Sequence, residues 1–163
     1  MSTIIDNLVT DRTQADVERV KALAAKGFSA MTSDEQAEWL AGMKGAYNAS
    51  DMNRVGTALN YLAARLSSIC GKSIAWTAKT DWAVTDIITA SQAEAYRKQV
   101  QSIRDALAYP AGTPDAPQLG RLTYTDANNI ERILKLCEDL IVNVAKSFRH
   151  TGAAECAAGG LLT

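Results

Sequence analysis

The sequence feature that most constrains the fold is a stripe of apolar residues near the end of the chain, spaced alternately three and four residues apart. Its members are Ala127, Ile130, Leu134, Cys137, Ile141, Val144 and Phe148. This spacing places all of them on one face of a helix, in the narrow seam along which two helices pack. A second stripe follows Ser50 and consists of Met52, Val55, Leu59, Leu62, Leu66 and Ile69. Two long seams of this kind predict a helical bundle.

Start and stop signals indicate where the individual helices lie. Residues that can cap a first turn predict helix starts at Thr13, Thr32, Ser50, Ser91 (with Thr89 as the alternative) and Thr125. Gly27, Gly71 and Pro110 predict helix ends. Residues 109–122 contain all three prolines and predict a stiff, extended connection. We therefore expect a mainly α fold, a bundle of four to five helices of which the two heptad-patterned ones are long.

Residues 72–90 are the least regular part of the chain. Polar and apolar residues alternate over 73–78, which is compatible with a short strand or hairpin. We expect the apolar residues Trp82, Val84 and Ile87 to pack this segment onto the bundle. Trp76 and Trp82 can serve either the core or an interface, because tryptophan is enriched at binding hot spots. Gly56, inside the second seam, is either a weak point or a place where another helix approaches closely, and we favour the close approach.

The length and net charge of the chain limit its number of domains and its classes of partner. With 163 residues it is expected to form one domain. We divide it into a flexible or partner-bound lead at 1–10, a helical domain at 11–149, and a Gly/Ala-rich tail at 150–163 that is too poor in apolar surface to order alone. The formal net charge of −1 favours neither nucleic acid nor anionic membranes as partners. The sequence contains no apolar run of the roughly 20 residues needed to cross a bilayer.

The sequence assembles no reactive group of residues. Its single histidine, His150, is predicted to complement the dipole at the end of the last helix. Three cysteines stand far apart at 70, 137 and 156, without a Cys-x-x-Cys pair. Most carboxylates fall in helix first turns or on predicted solvent faces. We therefore expect no catalytic residues, no metal, no cofactor and no enzyme activity.

Two stretches in the first third of the chain carry a resemblance to a known group of proteins. LVTDRTQADVERVKAL at 8–23 and MTSDEQAEWLAGMKGAYNASDMNRV at 31–55 resemble small structural proteins of tailed phages and prophages of Gram-positive bacteria. TAKTDW at 77–82 and LTYTDANNIERIL at 122–134 extend the similarity. Such proteins are associated with the tail tip, the baseplate or the fibres. The resemblance implies a virion structural protein, assembled in the host cytoplasm, whose partners are other phage tail proteins.

Self-association follows from the two seams. Long amphipathic helices with surplus apolar surface tend to cover it with a partner, and closed symmetry is the usual solution. We expect a homo-oligomer, with a trimer slightly favoured over a dimer because the fibre-associated parts that the chain resembles are often threefold. The residues expected at its interface are Trp76, Trp82, Ile130, Leu134, Ile141 and Phe148. We also expect Leu134 and Ile141 to be buried centrally against Leu59 and Leu62.

A different class of function stays open beside this one. The same helices can form a monomeric protein-binding or regulatory module that acts in the host cytoplasm. The size of the protein in solution separates the two hypotheses, because assembly requires a stable oligomer and the regulatory module does not.

Overall fold

The chain folds into helices joined by extended segments, as the two seams predict. The computed structural model describes the backbone of residues 2–159 and the side chains of residues 2–148. Its helices are α1 (Thr3–Asp6), α2 (Gln14–Lys26), α3 (Ser33–Ala41), α4 (Ala49–Cys70), α5 (Ala90–Asp105) and α6 (Tyr124–Gly159). Within the described residues there is no strand, and 73–78 runs extended without a partner strand. The mainly α fold is confirmed, with the short α1 added to the expected helices.

Two of the predicted helix starts, Thr13 and Thr32, are confirmed by their side-chain caps, and α5 is capped by the alternative Thr89 and not by Ser91. Thr13, Thr32 and Thr89 each accept a hydrogen bond from the backbone N–H three residues later. The side chain of that later residue accepts in return from the backbone N–H of the threonine. These reciprocal bonds satisfy two of the donors that a helix leaves unpaired at its start.

Besides Ser91, two further predicted starts are wrong by two residues. Asn48, not Ser50, caps α4, because its Oδ1 accepts from the backbone N–H groups of Ser50 and Asp51 at 2.9 and 3.3 Å. Thr123, not Thr125, caps α6, since its Oγ1 accepts from the Asp126 N–H at 3.1 Å. In both places an equally good capping residue stands two positions upstream of the predicted one, and residue type alone does not choose between them.

The long helices α4 and α6 run parallel. Arg54, near the start of α4, contacts Glu131 near the start of α6. Farther along both helices, Arg65 lies 2.9 Å from Glu138. The start of α5 lies at the same end of the bundle, because the hydroxyl of Tyr96 contacts that of Tyr47, just before α4. Parallel neighbours require long returns, which explains the extended connections 71–89 and 106–123.

The main core lies between α4, α5 and α6. Leu59, Leu62, Leu134 and Ile141 are all fully buried in one cluster, which confirms the predicted central packing of the two seams. A second, smaller cluster joins α2 to α3 and to the connection after it; its buried members are Leu23, Met31 and Met43. The chain therefore covers most of both heptad seams with its own helices and leaves Phe148, at the end of the α6 seam, exposed.

Both ends of the chain differ from their predictions. The lead was predicted to be flexible or partner-bound, but Ile5 of α1 and Leu8 are buried in the main core. Apolar residues three apart suffice to hold this short segment on the bundle. At the other end the backbone of 150–159 continues α6, in keeping with the high helix propensity of its alanines. The side chain of His150 and residues 160–163 lie outside the described residues.

Candidate interaction surface

An apolar groove opens between the end of α3, the start of α4 and the loop after Trp82. Its volume is about 500 Å³. Its apolar walls include Trp39, Leu40, Met43, Met52, Trp82, Val84 and Ile88. Asp86 is the one charged residue in its lining. We call this surface the α3–α4 groove.

Glycines shape the connection that forms one wall of the groove. Gly42 ends α3 at a φ of +87°, a conformation that L side chains rarely adopt. A Cβ on Gly45 would lie 2.1 Å from the carbonyl oxygen of Asp16, so only glycine lets the connection pass this close to α2. Trp39 packs against the small cluster of Leu23. Contacts with α2 therefore fix this wall on the side away from the groove.

The opposite wall is held by two asparagines of α4. Asn53 accepts from the backbone N–H of Trp82 at 2.7 Å and donates to its carbonyl oxygen at 2.9 Å. Asn60 binds Ala78 in the same way, at 2.7 and 3.0 Å. Each side-chain amide thus pairs with the backbone of the loop as a neighbouring strand would. Residues 78–82 are fixed against α4 in an extended conformation without belonging to a sheet.

Gly56 lies between these two asparagines and permits the contact. A Cβ at this position would lie 2.2 Å from the carbonyl oxygen of Lys79. The predicted close approach at Gly56 is therefore present, but the approaching partner is the backbone of the loop and not another helix.

Trp82 occupies a fixed position in the groove wall. Its side chain is largely buried, and the ammonium of Lys79 lies 4.9 Å from the ring centroid, a cation–π contact. The indole Nε1 is buried and has no hydrogen-bond partner among the described residues.

Trp76, the other tryptophan predicted at an interface, has a structural role. It packs against the main core, and its Nε1 donates to the Ser102 hydroxyl at 3.3 Å. This bond joins the extended segment to α5. The structure thus places Trp76 and Trp82 in different environments, although the sequence treats them alike.

Three of the remaining predicted interface residues lie inside the chain's own core. Ile130, Leu134 and Ile141 are at most 1% exposed, so their side chains are not accessible to a second copy in this structure. This corrects the prediction that placed them at an interface. The part of the α6 seam to which they belong packs against α4 and α5. Phe148 is different, because it is 64% exposed on α6.

Exposed apolar residues that were not predicted at an interface lie in and beside the groove. Leu40 and Val84, which line it, are 75% and 95% exposed, and Ile87, between the lining residues Asp86 and Ile88, is 90% exposed. Val84 and Ile87 were expected to pack their loop onto the bundle; instead the asparagine contacts hold the loop and leave these side chains in solvent. The available signal was the presence of large apolar residues within a short polar loop.

The densest group of charges lies near the groove but is enclosed by protein. Arg12 contacts Asp51 at 2.8 Å and Glu131 at 2.6 Å. Arg54 contacts both of the same carboxylates. Glu131, fully buried, also accepts from the backbone N–H of Val9 at 2.6 Å. We call Arg12, Asp51, Arg54 and Glu131 the ionic cluster.

The ionic cluster is structural in character. It contains two positive and two negative charges, so burial leaves no net charge to compensate. It joins the N-terminal segment to α4 and α6, which are distant in sequence. Its carboxylates are engaged by arginines and backbone rather than directed into a cavity, which is unlike a general acid or base poised for substrate.

Other groups that could react are held in unreactive states. Burial raises the pKa of the Cys137 thiol to about 11, so the thiol is protonated at neutral pH. Burial likewise raises the pKa of Tyr47 and of Tyr96. Among the described residues there is no group of three or more His, Cys, Asp or Glu side chains that could hold a metal ion. In that same part of the chain no helix has the length and apolar character needed to cross a membrane.

Comparison with known proteins adds no relative: no family model, no curated protein and no solved structure matches the chain.

Proposed function

We propose that this protein is a structural component of a phage virion, an oligomerising helical module that joins tail, baseplate or fibre components. The observation that carries the proposal is the α3–α4 groove with its exposed apolar rim. Assembly would take place in the host cytoplasm. The proposed partners are further copies of the chain and other phage tail proteins, with no role for nucleic acid, membrane, cofactor or catalysis.

The groove has the properties of a protein-binding surface. Contiguous apolar surface on a soluble domain typically marks an interaction site. Trp82 and Trp39 provide large, fixed side chains of the kind that anchor interfaces. Because both walls are held from behind, binding would require little additional ordering, and this lowers the entropic cost of association.

The phage assignment depends on the resemblance in the sequence. The two stretches that carry it, 8–23 and 31–55, include most of α2, all of α3 and the start of α4. The same two stretches form the groove wall around Trp39. They also contain three of the four residues of the ionic cluster, namely Arg12, Asp51 and Arg54. The residues that resemble phage structural proteins therefore include one wall of the proposed binding surface, whereas the loop residues 83–88 of the other wall lie outside them.

The second candidate is a monomeric helical module that binds a protein partner in the host cytoplasm. One observation favours it: both heptad seams are covered within the chain apart from Phe148 at the end of the α6 seam, so the core itself requires no second copy. Under this hypothesis the groove takes a foreign protein and the chain does not enter the particle.

Purified particles decide between the two candidates. Antibodies against the recombinant chain, used in immunogold electron microscopy, are expected to label one defined position on the tail. Quantitative mass spectrometry of the same particles is expected to find several copies per particle. If the chain is abundant in the lysate of producing cells but absent from washed particles, the virion proposal is wrong and the regulatory module is favoured.

A further inference from the structure

We infer that the α3–α4 groove binds a segment of another tail protein that combines large apolar side chains with one basic side chain, a lysine or an arginine. The inference rests on the proposed function, which makes the groove a protein-binding surface, and it specifies the chemistry of the partner. It follows from the apolar lining of the groove, from the carboxylate of Asp86 and from the position of the end of α3.

The apolar lining determines the bulk of the partner segment. The groove has a volume of about 500 Å³, within the range of about 300–1,000 Å³ that is typical of ligand-binding sites. Leu40 and Val84, on its two walls, are 75% and 95% exposed. A partner removes most apolar surface from water when it covers both walls together, and this requires several large apolar side chains.

Asp86 adds one negative charge to this lining. Of the described residues that line the groove, it is the only charged one, and its side chain is 37% exposed. Its Oδ2 accepts from the backbone N–H of Ala83 at 3.1 Å, which fixes the carboxylate within the loop. The ammonium of Lys79 lies 3.7 Å from this carboxylate but 3.0 Å from that of Asp81. Two carboxylates therefore share one ammonium, and Asp86 retains the capacity to accept from a further cation.

The end of α3 adds a partial negative charge at the same groove. The last residues of this helix, Trp39, Leu40 and Ala41, are part of the lining. A helix leaves its last carbonyl groups without intrahelical partners, and its dipole favours a cation there. The last turn of α3 contains no basic residue, and Lys44, the next basic residue along the chain, pairs with Asp11 at 2.9 Å. Among the described residues that line the groove, no basic side chain complements this helix end.

These features together select a basic side chain on the partner. A lysine or arginine within the groove is attracted by the carboxylate of Asp86 and by the end of α3. It is also attracted by the indole ring of Trp39, which lines the groove and is only half-buried. A glutamate or aspartate in the same place meets a like charge and the negative end of a helix dipole, so it is disfavoured. The groove therefore discriminates by charge as well as by apolar contact.

Selection from a peptide library tests the inference before the partner is identified. Full-length protein is immobilised and used to select binders from an mRNA-displayed library of random dodecapeptides. The wild type is expected to enrich sequences that contain several large apolar residues and a lysine or arginine. Asp86→Lys is expected to enrich aspartate or glutamate in place of the basic residue. Asp139→Lys, the same charge change at an exposed position on α6, is the matched control and is expected to select like the wild type.

Titration of one selected peptide separates the contribution of charge from that of apolar contact. Binding is followed by tryptophan fluorescence, since Trp39 and Trp82 line the groove. Asp86→Asn keeps an oxygen that can accept from the Ala83 N–H. It is expected to weaken binding of the basic peptide about two- to fivefold, the range of an ion pair that solvent reaches.

The same peptide with glutamine at the basic position is the matched ligand, and it is expected to bind the wild type and Asp86→Asn equally. Val84→Asn is expected to weaken both peptides, because it removes an apolar contact and no charge. Far-UV circular dichroism checks that every variant is folded. Asp86→Asn decides alone if Asp86→Lys does not fold.

Three results would overturn the inference. If the wild type enriches no peptide, or enriches apolar peptides without a preference for lysine and arginine, the groove does not recognise this chemistry. If the Asp86 variants bind basic peptides as the wild type does, Asp86 is not the recognising group. If the enriched sequences match a stretch of this chain, the occupant is a second copy and not another tail protein. The particle experiment fails separately, because absence of the chain from washed particles overturns the virion proposal without changing what the purified protein selects.

Discussion

The ionic cluster and the α3–α4 groove lie near the same end of α4 and are opposite in chemistry. In the cluster, charged groups are buried and each carboxylate has several partners. In the groove, Leu40 and Val84 are exposed although Trp82 beside them is largely buried. Residue type alone would assign binding to the charged group and packing to the apolar one. Burial reverses that assignment: the charges are enclosed and hold the fold, and the exposed apolar surface is available for binding.

Substitutions in the ionic cluster should lower the free energy of unfolding, because they leave buried charges without partners. Substitutions of the exposed residues Leu40 and Val84 in the groove should leave that free energy unchanged and act on association alone.

The largest expected effect is at Glu131. Replacing Glu131 with glutamine removes the charge that both Arg12 and Arg54 contact, and breaking a buried ion pair from one side typically costs about 3–5 kcal/mol. Urea unfolding followed by circular dichroism measures the loss. Asp139→Asn, an exposed position on the same helix, is the matched control and should change stability by less than about 0.5 kcal/mol. Equal effects at the two positions would show that the cluster does not stabilise the fold.

The next largest effect separates buried from exposed leucines. Leu134→Ala should cost about 2–5 kcal/mol, because Leu134 is fully buried and its truncation leaves a cavity. The same substitution at Leu40, which is 75% exposed, should cost much less. Thermal and urea unfolding of both variants provide the comparison. A loss under about 0.5 kcal/mol at Leu134 would mean that the α6 seam faces solvent.

Gly56→Ala tests the contact that fixes the groove wall. The added methyl would lie 2.2 Å from the Lys79 carbonyl oxygen, so the loop must move away from α4. Overpacking of this kind typically costs about 1–3 kcal/mol. Gly120→Ala, with nothing within 4 Å of the new Cβ, is the control and should be neutral or slightly stabilising. A stable Gly56→Ala with unchanged fluorescence of Trp82 would contradict the close approach.

Cys137 gives a smaller effect that appears only at high pH. Burial raises its pKa from 9.0 to about 11, so the folded protein holds the thiol proton more tightly than the unfolded chain. Its contribution is therefore complete below pH 9 and is lost as pH rises from 9 toward 11, by at most about 1.4 kcal/mol per pH unit. Cys137→Ala should be less stable at pH 7 but decline less steeply over this interval. Tyrosines and lysines titrate in both proteins, so the difference between the two curves isolates the thiol. Parallel curves would contradict the assignment.

Local signals in the sequence predicted the helices because each signal lies within a few residues of its effect. The cap at Thr13 needs only Asp16, and the seams need only their own spacing. Errors arose where two nearby residues can both cap the same helix, as Asn48 and Ser50 can for α4. The buried lead was missed because a few apolar residues near the start of a chain do not predict packing without knowledge of the surface that receives them.

The ionic cluster could not be predicted, since its members are separated by up to 119 positions and meet only after folding. Glu131 stands next to Ile130 at the edge of the seam, where a carboxylate would normally face solvent. Trp82, predicted at an interface, lines the groove, but Trp76, of the same type six positions earlier, was predicted there with it. What separates them is the Ser102 hydroxyl and the pair Asn53 and Asn60, and these are tertiary contacts.

The smallest expected effect on the free energy of unfolding is that of a substitution at Val84 in the groove, and it contrasts with the large effect expected in the ionic cluster. Val84 is 95% exposed, so Val84→Asp removes almost no buried surface and should change the free energy of unfolding by less than about 0.5 kcal/mol. The measurement is urea unfolding at a concentration low enough for the wild type to be monomeric, because association would otherwise add its own stabilisation. At higher concentration the wild type should gain stability and Val84→Asp should not. A loss of several kcal/mol in the monomer would instead make the groove part of the folding core, and the division between a charged, stabilising cluster and an apolar, binding surface would no longer hold.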